Sequence, residues 1–252
     1  MVDMFRLDGK TAMVTGSSRG LGLGIALALA EAGARVALHG SASVPHEAVE
    51  RAREAHPDCI AVTGDVSDAQ ACRRLFDRAM AGLDRIDILV NNAGTIRRSP
   101  AEEQSWEDWG AVLETNLSSV FRLSQLAGRH MLERGSGKII NIASLLSFQG
   151  GVRVPSYAAA KGGVGQLTKA LANEWASRGV NVNAIAPGYM ATENTAALRA
   201  DPVRSQQILE RIPAGRWGTP SDLAGAAIFL ASPASDYMHG HVLVVDGGWM
   251  AR

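Results

Sequence analysis

Tyr157 and Lys161 stand four residues apart in the run Tyr157-Ala158-Ala159-Ala160-Lys161. That spacing places a phenol and an ammonium on one face of a helix. A free tyrosine ionises near pH ~10 and is a poor acid or base at neutral pH, but a nearby ammonium favours the phenolate and lowers that value. A phenol tuned towards the working pH can exchange a proton with a substrate alcohol or carbonyl. Ser144, thirteen residues upstream, can hold the substrate oxygen by a hydrogen bond. Tyr157 is one of only three tyrosines and follows a strand closely, so a merely solvated helix face explains the pair poorly.

Other polar and glycine-rich turns also follow apolar runs. Thr15-Gly16-Ser17-Ser18-Arg19-Gly20-Leu21-Gly22 lies between an apolar run and an apolar helix. Glycines there permit positive φ and close backbone approach, and the start of the helix suits a pyrophosphate. The spacing is Gly-x-x-x-Gly-x-Gly rather than Gly-x-Gly-x-x-Gly. In Gly64-Asp65-Val66 the carboxylate could accept from an adenine amino group or cap a helix starting near Ser67. Asn91-Asn92-Ala93-Gly94 lets a ring approach the backbone, or forms an Asx-type turn.

The runs expected to be strands cover residues 11–15, 35–39, 59–63, 86–91, 138–142, 181–185 and 242–245. Helical patterns cover residues 21–32, 69–81, 106–134, 156–178 and 221–231. Near-continuous apolar runs such as Ile86 to Val90 suit strands buried on both faces. The alternation predicts a parallel sheet with helices on both faces and a ligand site at the carboxyl ends of the strands. The segment 193–217 is polar with weak periodicity, as in a substrate lid or a surface excursion.

Composition narrows the function classes. The 252 residues carry 25 Lys plus Arg against 25 Asp plus Glu, with no basic block, which argues against nucleic acid. No apolar run approaches the ~20 residues of a membrane span. The first ten residues lack the apolar core of a signal peptide, so a cytoplasmic location is expected. The two cysteines, Cys59 and Cys72, have no metal-ligand spacing and are expected to pack as small apolar groups; no metal site is expected.

Taken in order, Thr15 to Gly22, Asn91 to Gly94, Asn116, Ser144, Tyr157 with Lys161, and Pro187-Gly188 resemble the short-chain dehydrogenase/reductase family over essentially the whole chain. The resemblance implies an α/β fold: a Rossmann-type, doubly wound, parallel seven-stranded sheet in a single domain, residues 1–252. It also implies a nicotinamide cofactor, NAD or NADP. Tyr157 becomes the general acid/base and Ser144 the residue that polarises the substrate. Lys161 holds the cofactor ribose and tunes Tyr157, and Asn116 distorts a helix and holds water in a proton relay. The cofactor is expected against Gly16, Ser18, Arg19, Gly20, Leu21, Gly40, Ser41, Asp65, Val66, Asn92, Ala93 and Gly94. Tyr157, Lys161, Pro187, Gly188, Met190 and Thr192 complete that set, with the turn after residue 187 closing over the nicotinamide end.

The runs 91–98, 139–144, 147–157, 186–192, 211–218 and 246–252 resemble one branch of the family. Its members interconvert a hydroxyl and a ketone on deoxy-keto sugar acids of uronate (pectin and alginate) breakdown. Such a substrate carries a carboxylate, so Arg97, Arg98 and Arg153 are the candidate cations; Arg153 and Arg97 are the expected pair, with Gln149 holding a sugar hydroxyl. An acidic residue normally selects NAD at the end of the second strand. This chain has His39-Gly40-Ser41 there, and Arg19 with Ser41 tilts the expectation towards NADP, with both accepted. Gluconate at its 5-position, a 3-oxoacyl thioester, or an idle cofactor-binding scaffold are the alternatives. The resemblance further implies a homotetramer, paired through residues 106–134, 156–178 and 242–245. The apolar tail Trp249-Met250-Ala251 is a candidate to reach a neighbouring subunit's site.

Overall fold

Short aliphatic strands separated by longer helices build the protein. A computed structural model describes residues 2–43 and 45–252. In chain order the elements begin β1 (Thr11–Val14), α1 (Gly20–Glu31), β2 (Arg35–Gly40), α2 (His46–Ala55), β3 (Ile60–Thr63) and α3 (Ala69–Leu83). Next come β4 (Ile88–Asn91), α4 (Trp106–Leu113), α5 (Ser119–Arg134), β5 (Gly137–Ile142) and α6 (Pro155–Trp175). The last are β6 (Val180–Pro187), α7 (Ala196–Ala200), α8 (Pro202–Arg211), α9 (Ala224–Ala231) and β7 (Val242–Val245).

All seven strands pair in parallel, in the order β3-β2-β1-β4-β5-β6-β7. Central strands read buried at every position, as β1, β4 and β6 do. That is the signature of a sheet covered on both faces. One apolar layer joins Ile25, Leu29, Val49, Leu223 and Leu230, from α1, α2 and the α9 region, to the sheet. The other joins Leu75, Phe76, Leu123, Met131 and Trp175, from α3, α5 and α6. The chain reverses its direction of sheet growth between β1 and β4. In such sheets the crevice for ligands opens at the carboxyl ends of the strands flanking that reversal.

Three differences from the sequence expectation have physical causes. The pattern 106–134 is not one helix: a π turn, Glu114–Ser118, separates α4 from α5. Inside it the buried Asn116 donates from Nδ2 to the Val112 carbonyl at 2.8 Å, a side-chain bond that competes with the helix ladder. Helix α2 was not expected, because its buried face is only Ala48, Val49 and Ala52. Segment 193–217 contains α7 and α8; Asp201 caps α8 by accepting from the Arg204 N–H at 3.0 Å. No helix among the described residues is long and apolar enough to cross a membrane.

Beneath the crevice a buried polar chain ties β4, β5, α5 and α6 together. Asn91 Nδ2 donates to Ser124 Oγ at 3.0 Å and to Asn141 Oδ1 at 2.9 Å. Asn141 Nδ2 donates to Thr168 Oγ1 at 3.0 Å. Replacing one member strands its partners without water. Asn141→Leu is therefore expected to lower unfolding stability by about 2–4 kcal/mol, read by chemical denaturation. A loss under ~0.5 kcal/mol would show that the chain is dispensable.

Candidate active site

The glycine-rich turn after β1 is braced from three sides. Gly16 takes φ +62, a left-handed conformation that costs glycine least. Its N–H donates to His39 Nδ1 at 2.8 Å, and the other ring nitrogen, Nε2, faces the Gly64 carbonyl at 2.7 Å. His39 is therefore a neutral tautomer with its proton on Nε2, linking the ends of β1, β2 and β3. Ser17 Oγ donates to the Val14 carbonyl at 2.7 Å and accepts from the His39 N–H at 2.8 Å. Asn92 Nδ2 donates to the carbonyls of Thr15 and Gly16 at 2.9 and 3.0 Å. Gly22 leaves no room for a side chain: a Cβ there would lie 2.3 Å from Asn92 Nδ2 and from the Gly16 carbonyl oxygen.

Helix α1 starts directly from this turn, and Arg19, at its N-cap position, makes no side-chain cap bond. The first N–H groups of α1 thus keep their capacity for an anion. The turn, the free helix start and the Gly22 contact together fit the pyrophosphate of a dinucleotide.

The candidate reacting groups gather beyond β4 and β5. Asn116 grips the strand exit after Gly94: its Nδ2 donates to the Thr95 carbonyl at 2.8 Å and its Oδ1 accepts from the Thr95 N–H at 3.2 Å. Lys161 is buried, with 4% of its surface exposed, and its Nζ donates to the Ile142 carbonyl at 2.6 Å. Burial lowers this ammonium from 10.5 to about 8. Its Nζ lies 5.7 Å from the centre of the Tyr157 ring. Tyr157 is half-buried at the wall of a cleft of about 440 Å³ that Ser144 and Gln149 also line. Burial pushes the phenol above its ordinary value, while the Ser144 hydroxyl and the Arg98 charge pull against it. This corrects the expectation of a phenol lowered by Lys161: in the protein by itself desolvation wins, and the phenol is protonated at neutral pH.

A family model described as enoyl-(acyl carrier protein) reductase matches residues 16–250. The 2-dehydro-3-deoxy-D-gluconate 5-dehydrogenase of Escherichia coli (strain K12) is 53% identical over 253 residues, covering 100% of both chains. The protein of that name from Bacillus subtilis (strain 168) is 53% identical, covering 99% of this chain and 98% of its own. A crystal structure from Agrobacterium tumefaciens, described as a candidate 2-deoxy-D-gluconate 3-dehydrogenase with bound NADP, superposes with a TM-score of 0.93. It is 52% identical and matches over 99% of this chain and 100% of its own.

The chain belongs to the short-chain dehydrogenase/reductase family. Its cleft differs from the sequence expectation in which cations it presents. Arg97 is exposed, 3.3 Å from Asp108 in an ion pair, and is not among the cleft-lining residues. Arg153 also stays off the wall: it takes φ +62, and its carbonyl accepts from the Ser99 N–H at 3.1 Å, so its fixed part is backbone. The cations on the wall are Arg98, Arg204 and Arg211. None of these three has a carboxylate partner among the described residues. Arg98 is thus the one of the three sequence candidates that reaches the wall, while Arg204 and Arg211 lie in a segment of weak periodicity that offered no motif.

Several expected cofactor contacts also take a definite structural place in this short-chain dehydrogenase/reductase. Asp65 caps nothing in α3; it accepts from the Ser67 N–H and hydroxyl at 2.9 and 2.8 Å, and Asp68 caps that helix. Val66 and Met190 are buried. Gly40 is buried, Ser18 and Ser41 are exposed beside the turn, and Leu21 is partly buried in α1. Ala93 abuts Gly16, and a Cβ at Gly94 would lie 2.7 Å from Asn116 Oδ1. Pro187 and Gly188 line the cleft, whereas Thr192 lies beside it in the turn before residue 193. Arg19 reaches Glu193 at 2.9 Å, but both side chains are mostly exposed, so this pair holds Arg19 only weakly. In the tail, Trp249 is 5% exposed and packs against Tyr189 beside the cleft, with ring centres 4.6 Å apart, whereas Met250 and Ala251 are exposed.

The motifs contain Thr15, Ser17 and His39 but gave their side chains no role; all three brace the site, Thr15 Oγ1 by accepting from the Asn92 and Ala93 N–H groups at 3.0 Å. Burial lowers the His39 imidazole below 6.5. The unfolded chain therefore takes up the proton first as the pH falls. The stability that neutral His39 contributes is whole above about 6.5 and is lost as the pH drops towards the folded value. His39→Leu removes the acceptor for the Gly16 N–H. It is expected to raise KM for the dinucleotide about 10-fold and to flatten the acid limb of stability. An unchanged KM would show that the imidazole does not hold the turn.

Proposed function

We propose that the protein is an NAD(P)-dependent oxidoreductase that interconverts the 5-hydroxyl and ketone of 2-dehydro-3-deoxy-D-gluconate or a closely similar deoxy-keto sugar acid. One observation carries this reading. A single cleft of about 440 Å³ joins a Ser144–Tyr157 wall to three arginines without carboxylate partners, which suits a small polyol with an anionic end. The names carried by the relatives of 53% identity support the same chemistry. The description of the matching family model names an enoyl thioester activity instead, but a cleft ringed by arginines favours a compact acid over an acyl chain.

In the oxidising direction, the nicotinamide dinucleotide, when bound, accepts the hydride from the carbinol carbon. Tyr157 takes the hydroxyl proton at its phenol oxygen, and in reduction it returns it. Ser144 donates to the substrate oxygen and fixes which face reacts. The Lys161 ammonium, held against the Ile142 carbonyl, opposes the burial that keeps the phenol protonated. Asn116 fixes the Thr95 backbone beside the site and widens its own helix, which leaves room for an ordered water in the proton path.

The dinucleotide is placed along the glycine-rich turn, with NADP favoured and NAD also used. Support comes from the absence of a carboxylate at the end of β2, from exposed Arg19 and Ser41, and from the NADP in the Agrobacterium structure. Segment 193–217 acts as a lid, since Asn194, Leu198, Gln207 and Ile208 border the cleft. The protein acts in the cytoplasm as a single-domain subunit of a homotetramer. Trp106 and Phe121, exposed on α4 and α5, suit that pairing.

Two experiments follow. Absorbance at 340 nm should change when purified protein is given NADP and 2-dehydro-3-deoxy-D-gluconate. Tyr157→Phe should lower kcat at least ~100-fold while leaving dinucleotide binding intact. No turnover of any sugar acid would sink the assignment. In the second, kcat/KM should favour NADPH over NADH, and Arg19→Ala should narrow that ratio by about 10-fold. A wild-type preference for NADH would contradict the placement of Arg19.

A further inference from the structure

Of the three arginines on the cleft wall, two have their guanidinium groups engaged. Arg98 donates to the Asn194 carbonyl at 3.0 Å, which ties the Asn91–Gly94 exit to the lid segment, and its charge reaches Tyr157. Arg204 donates to Gln207 Oε1 at 3.1 Å, one turn along α8. Arg211 differs from both. No side-chain or backbone oxygen among the described residues accepts from its guanidinium, yet the group is held in place: it lies 4.1 Å above the centre of the Trp249 ring. A planar cation stacked on an indole keeps its N–H edge free for a planar anion.

The platform under Arg211 is firmly built. Trp249 is 5% exposed and packs with Leu145, Ile208 and Ile212. Tyr189 lies against it and in turn meets Trp217 edge to face, with ring centres 5.7 Å apart. The tail is tied to the end of α8 twice. Arg252 Nη1 donates to the Glu210 carbonyl at 2.9 Å, and the Ala214 N–H donates to the Gly247 carbonyl at 3.0 Å. The buried indole Nε1–H has no protein acceptor. A donor left unpaired in a built platform is a second sign that this corner is completed by something other than the protein.

We propose that Arg211, positioned by Trp249, is the carboxylate receptor of the substrate, so that residues 211 and 249 together determine specificity. With Ser144 and Tyr157 fixing the reacting oxygen and Arg211 fixing the carboxylate, the span between them selects which carbon is oxidised or reduced. This rests on the proposed sugar-acid function and adds to it the residue that reads the acid.

The test compares an acid with a neutral ketone on the same variants. Arg211→Met should raise KM for 2-dehydro-3-deoxy-D-gluconate about 10- to 100-fold with kcat changed little. Its kcat/KM for an uncharged vicinal diketone such as 2,3-butanedione should fall far less than for the acid, by no more than about 3-fold. Arg211→Lys should recover part of the loss, because it restores charge without the planar fork. Trp249→Leu, which removes the platform, should shift the acid-to-neutral ratio in the same direction as Arg211→Met. A parallel loss on both substrates, or no change in KM for the acid, would overturn the assignment while leaving the oxidoreductase reading intact. If the wild type turns over no sugar acid, calorimetric titration of D-gluconate into the NADP-loaded protein decides instead. Binding that Arg211→Met abolishes supports the receptor; equal binding, or none to either protein, overturns it.

Discussion

A primary ammonium buried at the end of a parallel strand is the constraint on which the rest of this site turns. Lys161 has 4% of its surface exposed and a single protein acceptor, the Ile142 carbonyl. Its burial is costly, as the drop to about 8 records. No carboxylate is paired with it among the described residues. The cost is offset only if an electron-rich partner stands nearby when the site works. The Tyr157 ring, 5.7 Å away, is the group so placed, and in the proposed mechanism its phenol is the group that passes through an anionic form. Burial raises the phenol above its ordinary value and lowers the ammonium to about 8, so two groups of nearly equal ordinary pKa are driven apart and each is pushed towards its neutral form. Helix α6 fixes their spacing, and β5 fixes the carbonyl that anchors them.

The same logic of bracing governs the dinucleotide side. A turn with positive φ at Gly16 would be mobile if left to itself. Here His39, Ser17 and Asn92 each spend polar groups on it, from β2, the turn itself and the exit of β4. A parallel sheet makes this possible, because all its strands deliver their following residues to one edge. The side chains that brace the turn, His39, Ser17 and Asn92, are thus distinct from those that hold the Tyr157–Lys161 pair. Stability of the turn and reactivity of Tyr157 can be altered separately.

The fold was legible in the sequence because its signals are local. Each strand is a short apolar run, each long helix an apolar periodicity, and the order of turns matches a family pattern over residues 16–250. The reacting pair was legible because i and i+4 on a helix meet regardless of tertiary detail. What escaped depends on long-range geometry. The sign of the Tyr157 shift required knowing how deeply it lies. The cleft cations required knowing that Arg153 turns on a left-handed backbone and that Arg97 faces Asp108, while Arg211 meets Trp249 across thirty-eight residues. Helix α2 was hidden by a buried face of small residues, and the π turn by an asparagine whose effect is seen only once its amide finds Val112.

In the proposed mechanism the Lys161 ammonium governs proton exchange at Tyr157. The most direct measurement is the pH dependence of kcat for sugar-acid oxidation by Lys161→Met under saturating dinucleotide. A loss of about 100- to 10,000-fold is expected near neutral pH, partly recovered as the pH rises and the unassisted phenol begins to ionise. A variant with wild-type kcat at neutral pH and an unshifted profile would contradict it.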